Sequence, residues 1–371
     1  QLLTCIPAML LCYWCFGYGA WLCLALMLAA GIIAHHQKLS ALLAAGILLL
    51  PATQYPATTW WSKPDLDREY VLSLDVEHYF GNIQKMRKHL ETDRQILWVT
   101  YYRNLYNATH PSEINSPVSL SRNLLAWNQP GTNGLILPVN PSASFLSILF
   151  ANELWFTLGD MTMAEHCAML SMIFSPRNSG SRMIKRLAEI NLVNGDDEAA
   201  LKYLRILDKT LLHKSWAEKR IPGQQTPRVK EWLEKKRRDI PTQDHLRSGN
   251  DAVTSLRNLV ASNAGNLRAY EYLLCYHLLS KDLRSFVEDY VPGKVSSSIF
   301  AEALLIHLAR QGNIRAEELI KYQIPVKIAK EFADYTRLYE AKDTSLKEKY
   351  GKTYWFYYHF ATTEPGKESK P

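Results

Sequence analysis

Hydrophobic and polar positions divide the chain into two regimes. Gln1 to Ala34 carries no charged residue, and Lys38 is the only formal charge before Ser62. A helix needs an apolar stretch of roughly 17 to 25 residues to cross a bilayer. The pattern therefore predicts a transmembrane region over residues 1–61, with a truncated span ending near Phe16 and a second from Tyr18 to Ala34. A third, from Leu39 to Ala57, is interrupted by Pro51, Gln54 and Pro56. Tyr55, Trp60 and Trp61 then read as an interfacial aromatic belt. A chain that opens on Gln rather than Met is expected to be a fragment with further spans upstream. Lys38 sits in the short loop between two spans, and the positive-inside rule puts the large domain on the extracytoplasmic side.

After the membrane region, apolar residues recur at helical spacing almost throughout. Residues 62–140 read as a helical linker region, with helices over Asp75 to Leu90, Asp93 to Asn107 and Ser119 to Trp127. The run NQPGTNGLILPVNPS, Asn128 to Ser142, is dense in Pro, Gly and Asn and marks a boundary. Strand-like alternation is nowhere sustained. The fold class is all-α.

Within residues 141–361 the helical pattern repeats. Gly195 and Asp196 separate a helix over Ser181 to Val193 from another over Glu198 to Leu212, and Gly suits a helix end while Asp suits a helix cap. Thirty-six residues earlier, Gly159 and Asp160 divide Ser144 to Leu158 from Thr162 to Phe174 in the same way. Small residues, Ala164 and Ala200, follow each Gly by five positions, and Pro176 follows Gly159 by seventeen. This layout resembles the tetratricopeptide repeat, whose period is about 34 residues. Two later segments, Tyr270 to Pro292 and Ala301 to Pro325, keep the helix, turn, helix order, but Phe286 replaces the small residue in one and Ala316 is shifted in the other. The expected architecture is therefore N-terminal transmembrane helices followed by a tetratricopeptide-like α-solenoid.

The succession YYRNLYNA, NLLAWNQPGTNGLILP, LGDMTMAEHCAM and RMIKRLAEINLVNGDDEAALKYLRILDKTLLHKSWAEK, behind apolar spans, resembles a family of polytopic membrane proteins of unknown function from Bacteroidota. The resemblance implies a multi-pass protein of the bacterial inner membrane with a helical C-terminal domain, and it carries over no catalytic residue.

Stacked helix pairs form a superhelix with a concave surface. In tetratricopeptide-like geometry the first helix of each pair lines that surface. The matching positions are Leu149, Glu153 and Phe156, then Arg182, Lys185 and Glu189, and they are the candidate contact surface for a protein or peptide partner.

Charge refines this reading. Of 43 Lys and Arg only Lys38 precedes Ser62, so the rest of the chain holds 42 basic against 36 acidic side chains, a net +6. No basic stripe interleaved with aromatics accompanies it, which excludes a nucleic-acid partner. Positive charge concentrates in an insertion at 213–250, where His213 to Asp239 carries nine Lys or Arg against four acids, together with Trp216 and Trp232. It reads as a solvated segment whose tryptophans pack on the neighbouring repeat, or as one that lies on anionic headgroups of the lipid bilayer. The run YWFYYHF, Tyr354 to Phe360, reads as a terminal cap on the solenoid, and 362–371 as a disordered tail.

Chemistry is sparse. Cys12 and Cys15 have redox or metal spacing, yet no second pair follows to complete a zinc site. His166, His277 and His307 read as packing or surface residues. No phosphate loop, dinucleotide fingerprint, zincin helix or nucleophile elbow is present. No catalytic residue, cofactor or metal is expected. The sequence thus points to a membrane-anchored helical-repeat scaffold for protein-protein interaction. The alternative is the accessory part of a membrane-embedded glycosyl or acyl transferase whose catalytic loops lie upstream.

Overall fold

The computed structural model describes residues 63–92, 94, 96–110, 120–127, 131–132, 134–139, 145–174, 180–242 and 251–362. Every regular element among them is a helix. The chain divides into two compact units, residues 1–83 and 84–371. The described part of the first is essentially one helix, α1 (Lys63–Tyr79).

The expectation of N-terminal transmembrane helices, and with it of a multi-pass location in the inner membrane, is corrected here. Among the described residues no helix is long and apolar enough to cross a membrane. Helix α1, with 17 residues, carries seven Lys, Arg, Asp or Glu side chains in KPDLDREYVLSLDVEHY. The most apolar helices have 14 residues, about 21 Å at 1.5 Å per residue against a hydrocarbon core of about 30 Å. Residues 1–61, on which the three spans and the Cys12–Cys15 pair were placed, lie outside the described residues, as does the tail after Thr362.

The second unit holds α2 (Ile83–Leu90) apart from its first residue, then α3 (Leu97–Thr109) and a 3-10 turn (Ser121–Asn123) that runs into α4 (Leu124–Trp127). Next come α5 (Phe145–Leu158), α6 (Met161–Phe174), α7 (Ser181–Asn194) and α8 (Asp197–Asp208). Each packs on its predecessor along the sequence α5, α6, α7, α8. Helix α5 is buried over nearly its whole length because it is enclosed on several sides. The rings of Trp98, Tyr101 and Tyr102 from α3 crowd Phe150, and α6 packs along it. A core of Ala168, Met183 and Leu187 then joins α6 to α7, with Leu149 and Tyr203 against it.

The tight turns follow from local chemistry. Gly195 closes α7 in the left-handed region at φ 82°, and the Asp196 carboxylate accepts from Ala199 N at 2.9 Å, capping α8. Gly159 has φ 90°, and Asp160 accepts from Met163 N at 2.8 Å. Ala164 and Ala200 are fully buried where the paired helices meet.

The basic insertion folds back onto these hairpins. It forms α9 (Lys214–Glu218), which packs on α8, and α10 (Pro227–Arg237), which packs on α7. Arg237 donates to the carbonyls of Leu192 and Val193 at 2.8 and 3.0 Å, satisfying acceptors that the last turn of α7 leaves open. The chain then crosses the end of α5, where a Cβ on Gly159 would lie 2.3 Å from the Asp239 carbonyl oxygen.

Helices α11 (Ala252–Ser262), α12 (Leu267–Leu279), α13 (Leu283–Asp289), α14 (Ser298–Arg310), α15 (Ala316–Lys321), α16 (Val326–Glu340), α17 (Leu346–Tyr350) and α18 (Tyr354–Phe360) complete the unit. Asn266 and Arg268, at the start of α12, donate to Leu158 O and Thr157 O and so close the end of α5. The aromatic run is α18. Tyr354 and Tyr357 donate to Leu278 O and Leu279 O, and the Trp355 indole donates to Glu302 O. These contacts bury its rings against the ends of α12 and α14.

Candidate functional site

Of the six residues assigned to a partner surface, Glu153, Phe156, Arg182, Lys185 and Glu189 come together in one cluster, while Leu149 packs against the core that joins α6 to α7. On α7, Arg182, Lys185, Arg186 and Glu189 share a face because their spacing is three or four residues. Helix α5 presents Glu153 and Phe156 to that face. Glu153, 5% exposed, takes Arg182 at 2.8 Å on one oxygen and Arg186 at 2.6 Å on the other. Arg186 also meets Glu189 at 3.1 Å, and its guanidinium lies 3.8 Å from the centre of the Phe156 ring.

The insertion closes over this arrangement. Lys236 of α10 places its ammonium 4.5 Å from the same Phe156 ring, and Trp232 stacks on that ring at 6.3 Å. Trp216 of α9 is half-buried and carries two cations, Lys185 at 4.8 Å and Arg220 at 4.0 Å from the ring centre. Cation–π geometry of this kind lets a charge sit against apolar surface. Glu153 and Phe156 are thereby engaged in internal contacts, while Arg182, Lys185, Glu189, Trp216 and Arg220 keep partial access to solvent.

Charged groups of both signs meet in this cluster. Lys236 has Arg186, Arg268, Asp239 and Glu189 as charged neighbours, and Arg220 has Glu189 and Arg228. Burial, then the neighbouring Arg186 and Arg268, pull Lys236 down to about 8. Burial likewise lowers Arg220, with Glu189 opposing and Arg228 reinforcing the effect. Among the described residues the Nε atoms of Arg186 and Arg220 are buried without a hydrogen-bond partner.

A second feature carries no sequence motif. Helices α6 and α8 both pack on α7, and each is followed by exposed apolar side chains near its C-terminal end. Leu211 is 97% and Leu212 85% exposed there, and Ile173, Phe174 and Ile206 are exposed as well. Exposed Arg205, Asp208, Lys209 and Lys214 flank the leucines, and Lys214 lies 4.0 Å from Glu218. Periodicity extends α8 through Leu212, which would pack these side chains. The helix instead ends at Asp208, and Leu211 and Leu212 fall in a turn that turns them outward.

Other chemistry is internal. His277 Nε2 lies 2.8 Å from Asp289, whose carboxylate also accepts from Arg257 at 2.8 Å. Cys167 and Cys275 are buried free thiols, and burial pushes Cys167 up to about 12 and Cys275 well above its ordinary value. Among the described residues no group of three or more His, Cys, Asp or Glu is placed to hold a metal ion.

The chain belongs to the family of unknown function DUF6057, whose sequence model matches residues 39–361. No curated protein and no solved structure matches it.

Proposed function

We propose that this DUF6057 protein is a helical interaction module, and that a protein partner docks on the exposed apolar side chains near the C-terminal end of α8. The exposure of Leu211 and Leu212, at 97% and 85%, carries this reading. Two adjacent leucines almost wholly in water, beside further exposed apolar side chains, mark an interaction surface rather than ordinary scatter. Burying them would contribute about 3 to 6 kcal/mol before the costs of association, which suits a reversible complex. Arg205, Lys209 and Lys214 around them favour a partner segment that is apolar at its centre and acidic at its edges.

The test is photocrosslinking in the cells that make the protein, with a photoreactive residue in place of Leu212 and, as a control, in place of the exposed Lys327. A discrete adduct at Leu212 that disappears on adding Leu211→Asp is the expected result. Equal adducts at both positions, or none at Leu212, would overturn the reading.

A further inference from the structure

The end of α16, the turn after it, α17 and α18 enclose a cleft of about 560 Å³. Tyr339, Phe356 and Phe360 line it with aromatic rings, and Glu340, Lys342, Asp343 and Lys347 line it with charge. Phe356 and Phe360 stack with ring centres 4.5 Å apart, and Tyr339 meets Phe360 edge to face at 5.9 Å. Phe360 is 50% and Tyr339 41% exposed, so the rings are not used up by the core. Nearby charges are committed elsewhere, since Asp334 takes Arg337, Lys349 at 3.3 Å and the Tyr350 hydroxyl at 2.8 Å. Asp343 accepts from Ser345 N at 2.8 Å. Among the described residues the side-chain charges of Glu340, Lys342 and Lys347 make no hydrogen bond or ion pair. Lys342 also has a left-handed backbone, φ 52°, just past the end of α16, where glycine ordinarily stands. Lys281 takes the same conformation, and there the ammonium serves the fold by donating to Tyr358 O at 2.8 Å and to Ala361 O. The Lys342 ammonium has no such acceptor in the protein and is left to the cleft.

We propose that this cleft binds a zwitterionic small molecule with an aromatic side chain, of the kind that a free aromatic amino acid represents. The rings decide the side chain. A flat ring extends the offset and edge-to-face arrangement that Tyr339, Phe356 and Phe360 already form, which a branched aliphatic group cannot do. The charges decide the rest. Lys342 and Lys347 call for a carboxylate, and Glu340 with Asp343 calls for an ammonium. A ligand with only one of these charges would leave the other pair unmatched and bring its own charge near groups of like sign. A strongly anionic ligand such as a phosphate ester is disfavoured for the same reason. The volume lies within the usual range for small-molecule sites, roughly 300 to 1,000 Å³. The aromatic wall is fixed before binding, because Tyr354 and Trp355 anchor α18 through Leu278 O and Glu302 O.

L-Phenylalanine, L-leucine, phenylacetate and phenethylamine serve as probes, titrated into the purified chain at fixed ionic strength and read by calorimetry. Phenylalanine should saturate a single site. Phenylacetate, which lacks the ammonium, and phenethylamine, which lacks the carboxylate, should each bind about tenfold or more weakly, the loss expected for one charge-assisted hydrogen bond. Leucine, which keeps both charges but has no ring, should also bind more weakly. Lys342→Gln and Phe360→Ala should each weaken phenylalanine about tenfold, and Arg284→Gln, an exposed arginine on α13, should leave it unchanged. Lys342 is exposed and makes no side-chain bond within the protein, so Lys342→Gln tests the site even where Phe360→Ala disturbs α18. Absence of saturable phenylalanine binding, equal binding of leucine or of either singly charged probe, or indifference to both substitutions would overturn the proposal. None of these outcomes touches the docking surface at Leu211 and Leu212, which needs no small ligand.

Discussion

Lys236→Met isolates the electrostatic cost of the cationic cluster. The amine is partly buried between Phe156 and the arginines, and its affinity for a proton falls from the ordinary 10.5 to about 8. At 1.36 kcal/mol per pH unit that difference amounts to about 3 kcal/mol. Solvent screening of a group that is not fully enclosed reduces it to about 1 to 2 kcal/mol. Methionine covers the Phe156 ring with similar volume and gives up a long hydrogen bond, 3.4 Å, to Phe156 O and the ammonium's contact with the ring at 4.5 Å. The variant should therefore be more stable than wild type at pH 7 by about 1 kcal/mol.

The pH dependence supplies the sharper readout. The folded-state value is depressed, so between pH 8 and 10.5 the unfolded chain holds a proton at Lys236 that the folded chain has lost. Stability from this group then rises with pH across that window, and the penalty is complete below it. Urea unfolding at pH 7 and pH 9.5 should show the advantage of Lys236→Met shrinking at the higher pH. A variant less stable than wild type at pH 7, with a difference that does not change at pH 9.5, would show that the ammonium is well compensated and would refute the reasoning.

Two further predictions bear on the scaffold. Gly195→Ala should cost about 1 to 2 kcal/mol, because its left-handed φ of 82° disfavours a side chain although the space around it is open. Gly159→Ala should cost about 2 kcal/mol more, because its Cβ would also meet the Asp239 carbonyl at 2.3 Å. Equal thermal midpoints for the two variants would show that the α10 crossing yields without strain. Glu153→Gln should destabilise by about 2 to 4 kcal/mol, since it leaves two guanidinium groups short of a carboxylate in a buried place. A loss below about 0.5 kcal/mol in chemical denaturation would mean that water replaces the carboxylate freely.

Local features were legible in the sequence because their causes are local. Gly195 and Asp196 act on neighbours within four residues, through a left-handed backbone and a side-chain cap, so the residue types alone announce the turn. The helix expected over Asp75 to Leu90 is instead split, α1 ending at Tyr79 and α2 beginning at Ile83, with Gly81 between them at φ 69°. The apolar run before Ser62 is equally plain as composition, but hydropathy by itself predicted spans, and no described helix of the chain has the length and apolarity to make one.

What lies between distant segments was decided only by tertiary structure. Glu153 meets arginines 29 and 33 positions away, and Lys236 reaches Phe156 across 80. No periodicity marks such pairs, because each depends on how α10 crosses α5 and α7. The sequence left the insertion either packing its tryptophans on the neighbouring repeat or lying on headgroups, and only the fold sets Trp232 on Phe156, Asp239 against Gly159 and Arg237 against the end of α7. The exposure of Leu211 and Leu212 was likewise hidden, since periodicity extends α8 through them and only the turn after Asp208 turns them outward. Sequence determined the helical class and the turns at Gly159 and Gly195, because those choices are settled within one or two turns of chain. The fold decided which charges lose their water and which leucines keep theirs, because desolvation is a property of the assembled helices.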